Sequence, residues 1–492
     1  MSLTRKKSLR GLLEQASHSG LKRTLSAHSL VALGVGAIIG AGLFVRTAAA
    51  SAQNAGPAVT LSFVIAAVGC AFAGLCYAEF AAMIPIAGSA YTYAYTTMGE
   101  FVAWVIGWAL VLEYALGAAT VAISWSEYLN NLVGRSIPFS WCHSPMEVSL
   151  TGSHGIINIP ALFIVLILTM ILIKGTQESA TINAIIVAIK VAIVVVFIAV
   201  GWHFINAANL SPYEIPAGTP GHEGLFKHGW GGILGGAGIV FFAFIGFDAV
   251  STAAQETKNP GRDMPIGILG SLAICTILYI LFGYVLTGVC NWKEFAVAGK
   301  EASVAYAVEH YMTGFHWLAT AITVAILLGF SSVILVMLLG QSRVFYTMAT
   351  DGLLPKVFSA IHPKFRTPYK CNMILFVFVG AFAAFLPESL AGDLTSIGTL
   401  FAFSLVCIGV WIMRHLEPDT PRPFRTPLVP LVPILGVVVC GGMIVSLDRR
   451  TQLTALAWMI IGLFVYFLYG RSHSKLNEVR VGDLEPKPAL RS

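Results

Sequence analysis

The sequence predicts an all-α integral membrane protein that crosses the bilayer about twelve times. Three observations lead there. Of the 492 residues, 57% are hydrophobic and only 11% are charged, about half the charge of a soluble domain. Apolar runs of about 18 residues or more recur along the whole length, each long enough to cross the hydrocarbon core as a helix. Lysine and arginine are spread unevenly between alternate loops, which is how a multi-span chain fixes its orientation.

The expected spans are about 29–51, 57–83, 101–129, 157–174, 181–205, 232–254, 266–290, 316–345, 371–387, 393–413, 428–446 and 452–470. An even number puts both termini on one side. Of the 30 basic residues, 22 fall on that side and seven on the other, including Arg46, Arg449 and Arg450, while Lys190 lies inside a span. The positive-inside rule therefore places both termini in the cytoplasm. No cleavable leader pattern precedes span 1, whose flank MSLTRKKSLRGLLEQASHSGLKRTLSAHS is polar and basic. The charged segment 471–492 reads as a disordered tail. Between spans 2 and 3, Pro85-Ile-Ala-Gly-Ser-Ala-Tyr-Thr-Tyr-Ala-Tyr95 reads as a short interfacial helix with tyrosines at headgroup level. The eight cysteines lie mostly inside apolar runs and lack metal-ligand spacing, so they read as small apolar residues. Cys142, alone in a loop, has no second cysteine evident beside it in the sequence. No cofactor or metal is expected, no nucleic-acid partner is implied, and no cysteine arrangement supports a covalently linked subunit.

Two spans are interrupted by glycine. Span 1 carries GVGAIIGAGLF at 34–44, and span 6 carries GGILGGAGIVFFAFIGFD at 231–248. Each glycine weakens a helix by about 1 kcal/mol relative to alanine. The two spans are five apart, so they enter the membrane in opposite directions, as an inverted repeat requires. The chain then divides into a terminal segment 1–28, a first repeat 29–205, a second repeat 206–413, two further spans in 414–470 and the tail 471–492.

A helix unwound in hydrocarbon leaves N–H and C=O groups without partners, at several kcal/mol each. An amino-acid zwitterion supplies what they lack. Its carboxylate takes the N–H groups that start a half-helix, Gly40, Ala41 and Gly42 in span 1. Its ammonium takes freed carbonyls: Ile38 in span 1, and Phe242 and Ile245 in span 6, with the break at Ile245-Gly246. The competing explanation for Gly36-x-x-x-Gly40 is close helix packing; the paired interruptions favour binding.

Four stretches resemble the amino acid–polyamine–organocation superfamily, in particular its cationic amino acid transporter branch. They are GVGAIIGAGLFV (34–45), CYAEFAAMIPIAGSAYTYAYTTMGEFVAWVIGW (76–108), VFFAFIGFDAVSTAAQETKNPGRDMPIGILGSL (240–272) and GQSRVFYTMATDGLLP (340–355). The resemblance implies a LeuT-like fold: two inverted five-helix repeats, two C-terminal helices and a central site between spans 1, 3, 6 and 8, worked by alternating access. Many members of the branch carry Asp early in span 3 where this chain has Ala109, so any role of that Asp is missing here.

Lys190 sits near the middle of span 5, where an ammonium is costly and calls for a partner or a function. The resemblance implies that it occupies the place of a coupling ion, bonding the carbonyls of Gly36 and Ile39 and a hydroxyl of Ser331 or Ser332, with the proton as coupling ion. A permanently charged tie between helices is the alternative. Glu113 in span 3 would either face a substrate amine or accept hydrogen bonds from a neighbouring helix. Asp248 follows the span 6 break and would either approach the substrate or accept from freed N–H groups. Phe242 would form a lid over the ligand. Glu79 and Glu127 read as interfacial. Glu256, Lys258, Arg262 and Asp263, with Arg343 and Asp351, would form either inner-gate ion pairs or a solvated charge cluster.

The expected function is secondary active transport of L-amino acids, as proton-coupled symport in the plasma membrane. The resemblance places Phe330 at the side-chain end of the pocket, where its bulk favours small neutral substrates; the branch name points instead to arginine and lysine. An exchanger or facilitator on the same fold, with Lys190 structural, is the alternative. An enzyme is not expected, because no catalytic or metal-spaced cluster occurs. A receptor is not expected either, since the terminal segments of roughly 28 and 22 residues hold no output domain.

Overall fold

In a computed structural model of the chain, residues 5–7, 23, 25–84, 89–149, 152–175, 180–297 and 303–476 are described. Among them there is no β-strand, only two isolated bridges. The protein is an all-α membrane protein. By length and composition, eight helical stretches cross a membrane, accompanied by four shorter apolar helices of 10–17 residues. One of the eight, Gly42–Met83, holds the second half of span 1 and all of span 2, while Ala27–Ile38 is the first half of span 1. Apolar side chains such as Val68, Phe163, Ile277, Val377 and Leu453 point outward from this bundle, as lipid-facing residues do.

The spans are Ala27–Ile38 with Gly42–Arg46 and its continuation through Ala55 (span 1), Val59–Met83 (2), Glu100–Leu132 (3), Ile159–Lys174 (4), Ala180–Gly201 (5), Gly229–Val240 with two short 3₁₀ segments (6), Pro260–Val289 (7), His316–Thr350 (8), Tyr369–Phe385 (9), Glu388–Leu416 (10), Leu431–Ser446 (11) and Arg449–Val465 (12). Local chemistry sets the ends. Span 4, for example, begins where the Asn158 side chain accepts from the Ala161 N–H and Pro160 occupies the first turn, and it stops at Gly175 with φ +74°. Span 7 lies along span 2 and the first half of span 1; span 6 also packs on span 2; span 8 packs on span 3 and span 5; span 10 packs on span 11.

Both ends of the described chain meet on one face, here the termini face. The Glu100 N–H donates to the Arg5 carbonyl at 2.8 Å, and the Lys475 N–H donates to the Asp351 carbonyl at 3.0 Å. The Glu100 carboxylate, at the start of span 3, accepts from Tyr95, Tyr466 and Ser474.

Several sequence expectations are corrected. The connection between spans 2 and 3 does hold a helix, Ser89–Thr97, but Tyr91, Tyr93 and Tyr95 are buried inside the protein rather than lying at a headgroup surface; Phe80 stacks on Tyr93 and Asp351 takes the Tyr91 hydroxyl. Residues 85–88 of that stretch lie outside the described residues. The tail is ordered and docked as far as Leu476; 477–492 lie outside the described residues. Arg449 and Arg450, counted as loop residues, open the first turn of span 12. Glu79 is buried, not interfacial: Arg414 grips it through two 2.8 Å bonds, Arg422 lies 3.3 Å away, and the Thr426 N–H donates to it at 2.8 Å. Glu127 is buried as well.

Candidate functional site

Span 1 loses its helix at Ile39, whose backbone is extended (φ −71°, ψ 107°). Leu43 and Phe44 then donate to the Gly40 carbonyl, which makes Gly40 the first acceptor of the second half-helix. The N–H groups of Gly40, Ala41 and Gly42 therefore head that half without partners in their own helix. Span 6 turns extended at Ile245 (φ −60°, ψ 134°), and Gly246 follows with φ +115°, a backbone that disfavours any side chain. Helical turns resume at Asp248.

The two interruptions are pressed together. A Cβ on Gly42 would lie 2.2 Å from the Ala243 Cα, and one on Gly246 would lie 2.8 Å from the Ala37 carbonyl oxygen. Only glycine lets spans 1 and 6 cross this closely at their unwound turns. The π-helical turn Leu112–Leu116 of span 3 carries Glu113 to the same level, a distortion common where a helix lines a site.

The candidate residues take these places. The Ile38 carbonyl receives the Tyr279 hydroxyl at 3.0 Å. The Phe242 carbonyl receives the Ile245 N–H at 3.3 Å, and the Phe242 side chain is buried. Asp248, fully buried, turns back toward the N–H groups of Gly246 and Ala249 and takes the Tyr114 hydroxyl at 3.3 Å. Glu113, fully buried, lies beside Asp248 and Thr399, yet neither of its oxygens makes a hydrogen bond of normal geometry among the described residues. Phe330 is buried against Phe44 (6.3 Å between ring centres) and Tyr128 (5.7 Å). Lys190, 2% exposed, donates from Nζ to the Gly36 carbonyl at 2.9 Å, and its stem lies against Gly329 of span 8. The Ile39 N–H donates to Val35. The Ser331 hydroxyl donates to the Leu327 carbonyl of its own helix, and Ser332 is buried next to it.

On the face away from the termini, Arg46 of span 1 is 1% exposed and reaches the start of span 10, pairing with Asp393 and with Glu388 at 3.4 Å. The sequence count assigns this arginine to the side away from the termini and names no partner for it. The connection after span 5 lies over the same end of span 1, with Asn54 Nδ2 on the Phe226 carbonyl at 2.7 Å and His222 Nε2 at 2.9 Å from the Ala52 carbonyl. On the termini face, Leu25 exchanges backbone bonds with Glu256 and Lys258. There Asp351 pairs at 2.5 Å with Lys7, a residue outside the charge cluster picked from the sequence.

A bundle of apolar spans, two of them interrupted back to back at backbone groups released from their own helices, with a buried lysine beside the first interruption, has the build of a solute transporter. The amino acid permease family model matches residues 25–466, and the chain belongs to that family, within the superfamily the four sequence stretches resemble. It is 41% identical to the branched-chain amino acid permease BcaP of Bacillus subtilis, over 97% of this chain and 99% of that protein. It is 39% identical to the methylthioribose transporter of the same organism, over 97% and 100%. It is 35% identical to the vacuolar cationic amino acid transporter 4 of Arabidopsis thaliana, over 85% and 68%.

Proposed function

We propose that this permease carries neutral L-amino acids with a co-transported proton, into the cytoplasm, by alternating access, with the substrate held by the unwound turns of spans 1 and 6. Spans 1–5 and 6–10 act as inverted halves, and the termini face is cytoplasmic. The carboxylate meets the N–H groups of Gly40, Ala41 and Gly42; the ammonium meets the carbonyls of Ile38, Phe242 and Ile245. The observation that carries the coupling is the 2.9 Å bond from Lys190 to the Gly36 carbonyl, one turn before the interruption. A charge-assisted bond is about twice as strong as a neutral one. Losing the lysine proton therefore loosens the first half of span 1 from spans 5 and 8, which frees it to move.

Phe330, buried against Phe44 and Tyr128, supports a pocket of limited size, suited to side chains such as those of alanine, valine and isoleucine. The relative named for branched-chain amino acids agrees with that choice. A second reading, carriage of cationic amino acids, is favoured by Glu113 and Asp248, two buried carboxyl groups that lie beside each other, and by the relatives named for such substrates.

Proteoliposome uptake decides between them. Labelled isoleucine, alanine and lysine are supplied with and without an inward proton gradient. The gradient is expected to drive accumulation of the neutral substrates. Lys190→Ala is expected to cut gradient-driven accumulation by about tenfold or more, the worth of one charge-assisted bond, while substrate exchange continues. Accumulation indifferent to the gradient overturns proton coupling, and preference for lysine overturns the neutral assignment.

A further inference from the structure

The Tyr279 hydroxyl, from span 7, lies 3.0 Å from the Ile38 carbonyl and 3.0 Å from the Ala243 carbonyl. The first belongs to the last residue of the first half-helix of span 1, the second to the turn that precedes the span 6 interruption. Tyr279 is fully buried, and its ring is fixed by Phe63 (5.5 Å between ring centres) and Phe244 (5.3 Å). A phenol has one hydrogen to donate. Two acceptors thus share one proton, and one of them is always under-satisfied in a site where an unmet backbone group is costly.

We infer that Tyr279 is a positioning residue of the substrate site that competes with the substrate. Without substrate, its proton is shared between spans 1 and 6 and holds the two unwound turns at their crossing. When the substrate α-ammonium takes the Ile38 carbonyl, the phenol proton swings to Ala243, and every acceptor has its own donor. Binding at span 1 thereby costs the Ile38 half of the shared bond, and that loss opposes the substrate. This role rests on the assignment of the Ile38 carbonyl to the substrate amine.

The signature is unusual for a residue that helps build a site: removing its hydroxyl strengthens substrate binding. Purified wild-type protein and Tyr279→Phe are compared in equilibrium binding of labelled alanine and isoleucine, and in proteoliposome uptake. The dissociation constant of Tyr279→Phe is expected to fall by about threefold, because a competing hydrogen bond is gone. Its maximal uptake rate is expected to drop by about tenfold, because the two turns are no longer held in register. Phe63→Leu, which loosens the ring but keeps the hydroxyl, should not tighten binding. In 3-fluorotyrosine incorporated at position 279, the stronger donor should weaken binding; this arm decides the matter should Tyr279→Phe not fold. A dissociation constant that is unchanged or raised in Tyr279→Phe, or unchanged with fluorotyrosine, overturns the competition while leaving the functional reading intact. Wild-type protein that binds neither amino acid overturns both.

Discussion

The two ends of the interrupted helices are closed by different chemistry. Away from the termini, Arg46 meets Asp393 and Glu388 with side chains that are 1%, 11% and 2% exposed. At the termini face, Lys7 meets Asp351 with side chains 24% and 11% exposed, and the Lys7 ammonium also lies over the Tyr95 ring. The first closure draws its cation from the second half of span 1 itself. The second draws it from the chain's first residues, with a backbone bridge at Leu25 doing the rest. Dry ion pairs are costly to break on one side only, because the remaining charges stay buried. Wet ones contribute little and are screened by salt. The far closure should therefore act as an all-or-none latch, and the near closure as a weak one that yields readily.

The largest effect expected from breaking this contrast is at Arg46. Arg46→Met leaves two carboxylates facing each other in a dry site, and should cost about 3–5 kcal/mol of stability; a combined Arg46→Met, Asp393→Asn and Glu388→Gln variant should recover most of it. Thermal unfolding in detergent reads both, and a loss of under about 1 kcal/mol in the single variant would mean that the latch is not dry in solution. Next comes Glu79→Gln. It removes the charge and replaces one of the two acceptor oxygens facing Arg414, Arg422 and the Thr426 N–H by a donor, and is expected to cost about 1–3 kcal/mol. Because the clamp joins spans 2 and 10 and not span 1, labelling of a cysteine introduced at Ser51 should not change, whereas Arg46→Met should raise it. The smallest effect is at Lys7. Lys7→Ala should change stability by no more than about 1 kcal/mol and raise uptake less than twofold, a difference that 0.5 M salt should erase if screening governs it.

Much of the architecture was legible in the residues. Apolar run lengths located the spans, and the glycines at 40, 42 and 246 located both interruptions, because glycine in hydrocarbon has few purposes. Partners were not legible. Arg46 and Asp393 are 347 residues apart, and nothing local to GLFVRTA says that its arginine is buried. Tyr279 lies in an ordinary apolar span, and only the crossing of spans 1 and 6 brings two carbonyls to its hydroxyl. The tyrosines of 91–95 alternate with small residues, a pattern equally suited to a membrane surface or to packing beneath span 10, and tertiary contacts chose the latter. Glu79 looked interfacial because it stands a turn from the end of span 2; the loop after span 10 covers it.

Glu100 has a wider consequence. One carboxylate holds Ser474 and Tyr466 from the chain's last described stretch, while its own backbone N–H holds Arg5 from the first. The first and last described stretches of the chain are thus stitched into a single seam beside span 3. A tag, a fusion partner or a charge added at either extremity tugs on the same knot, so the two extremities should respond to such cargo as one.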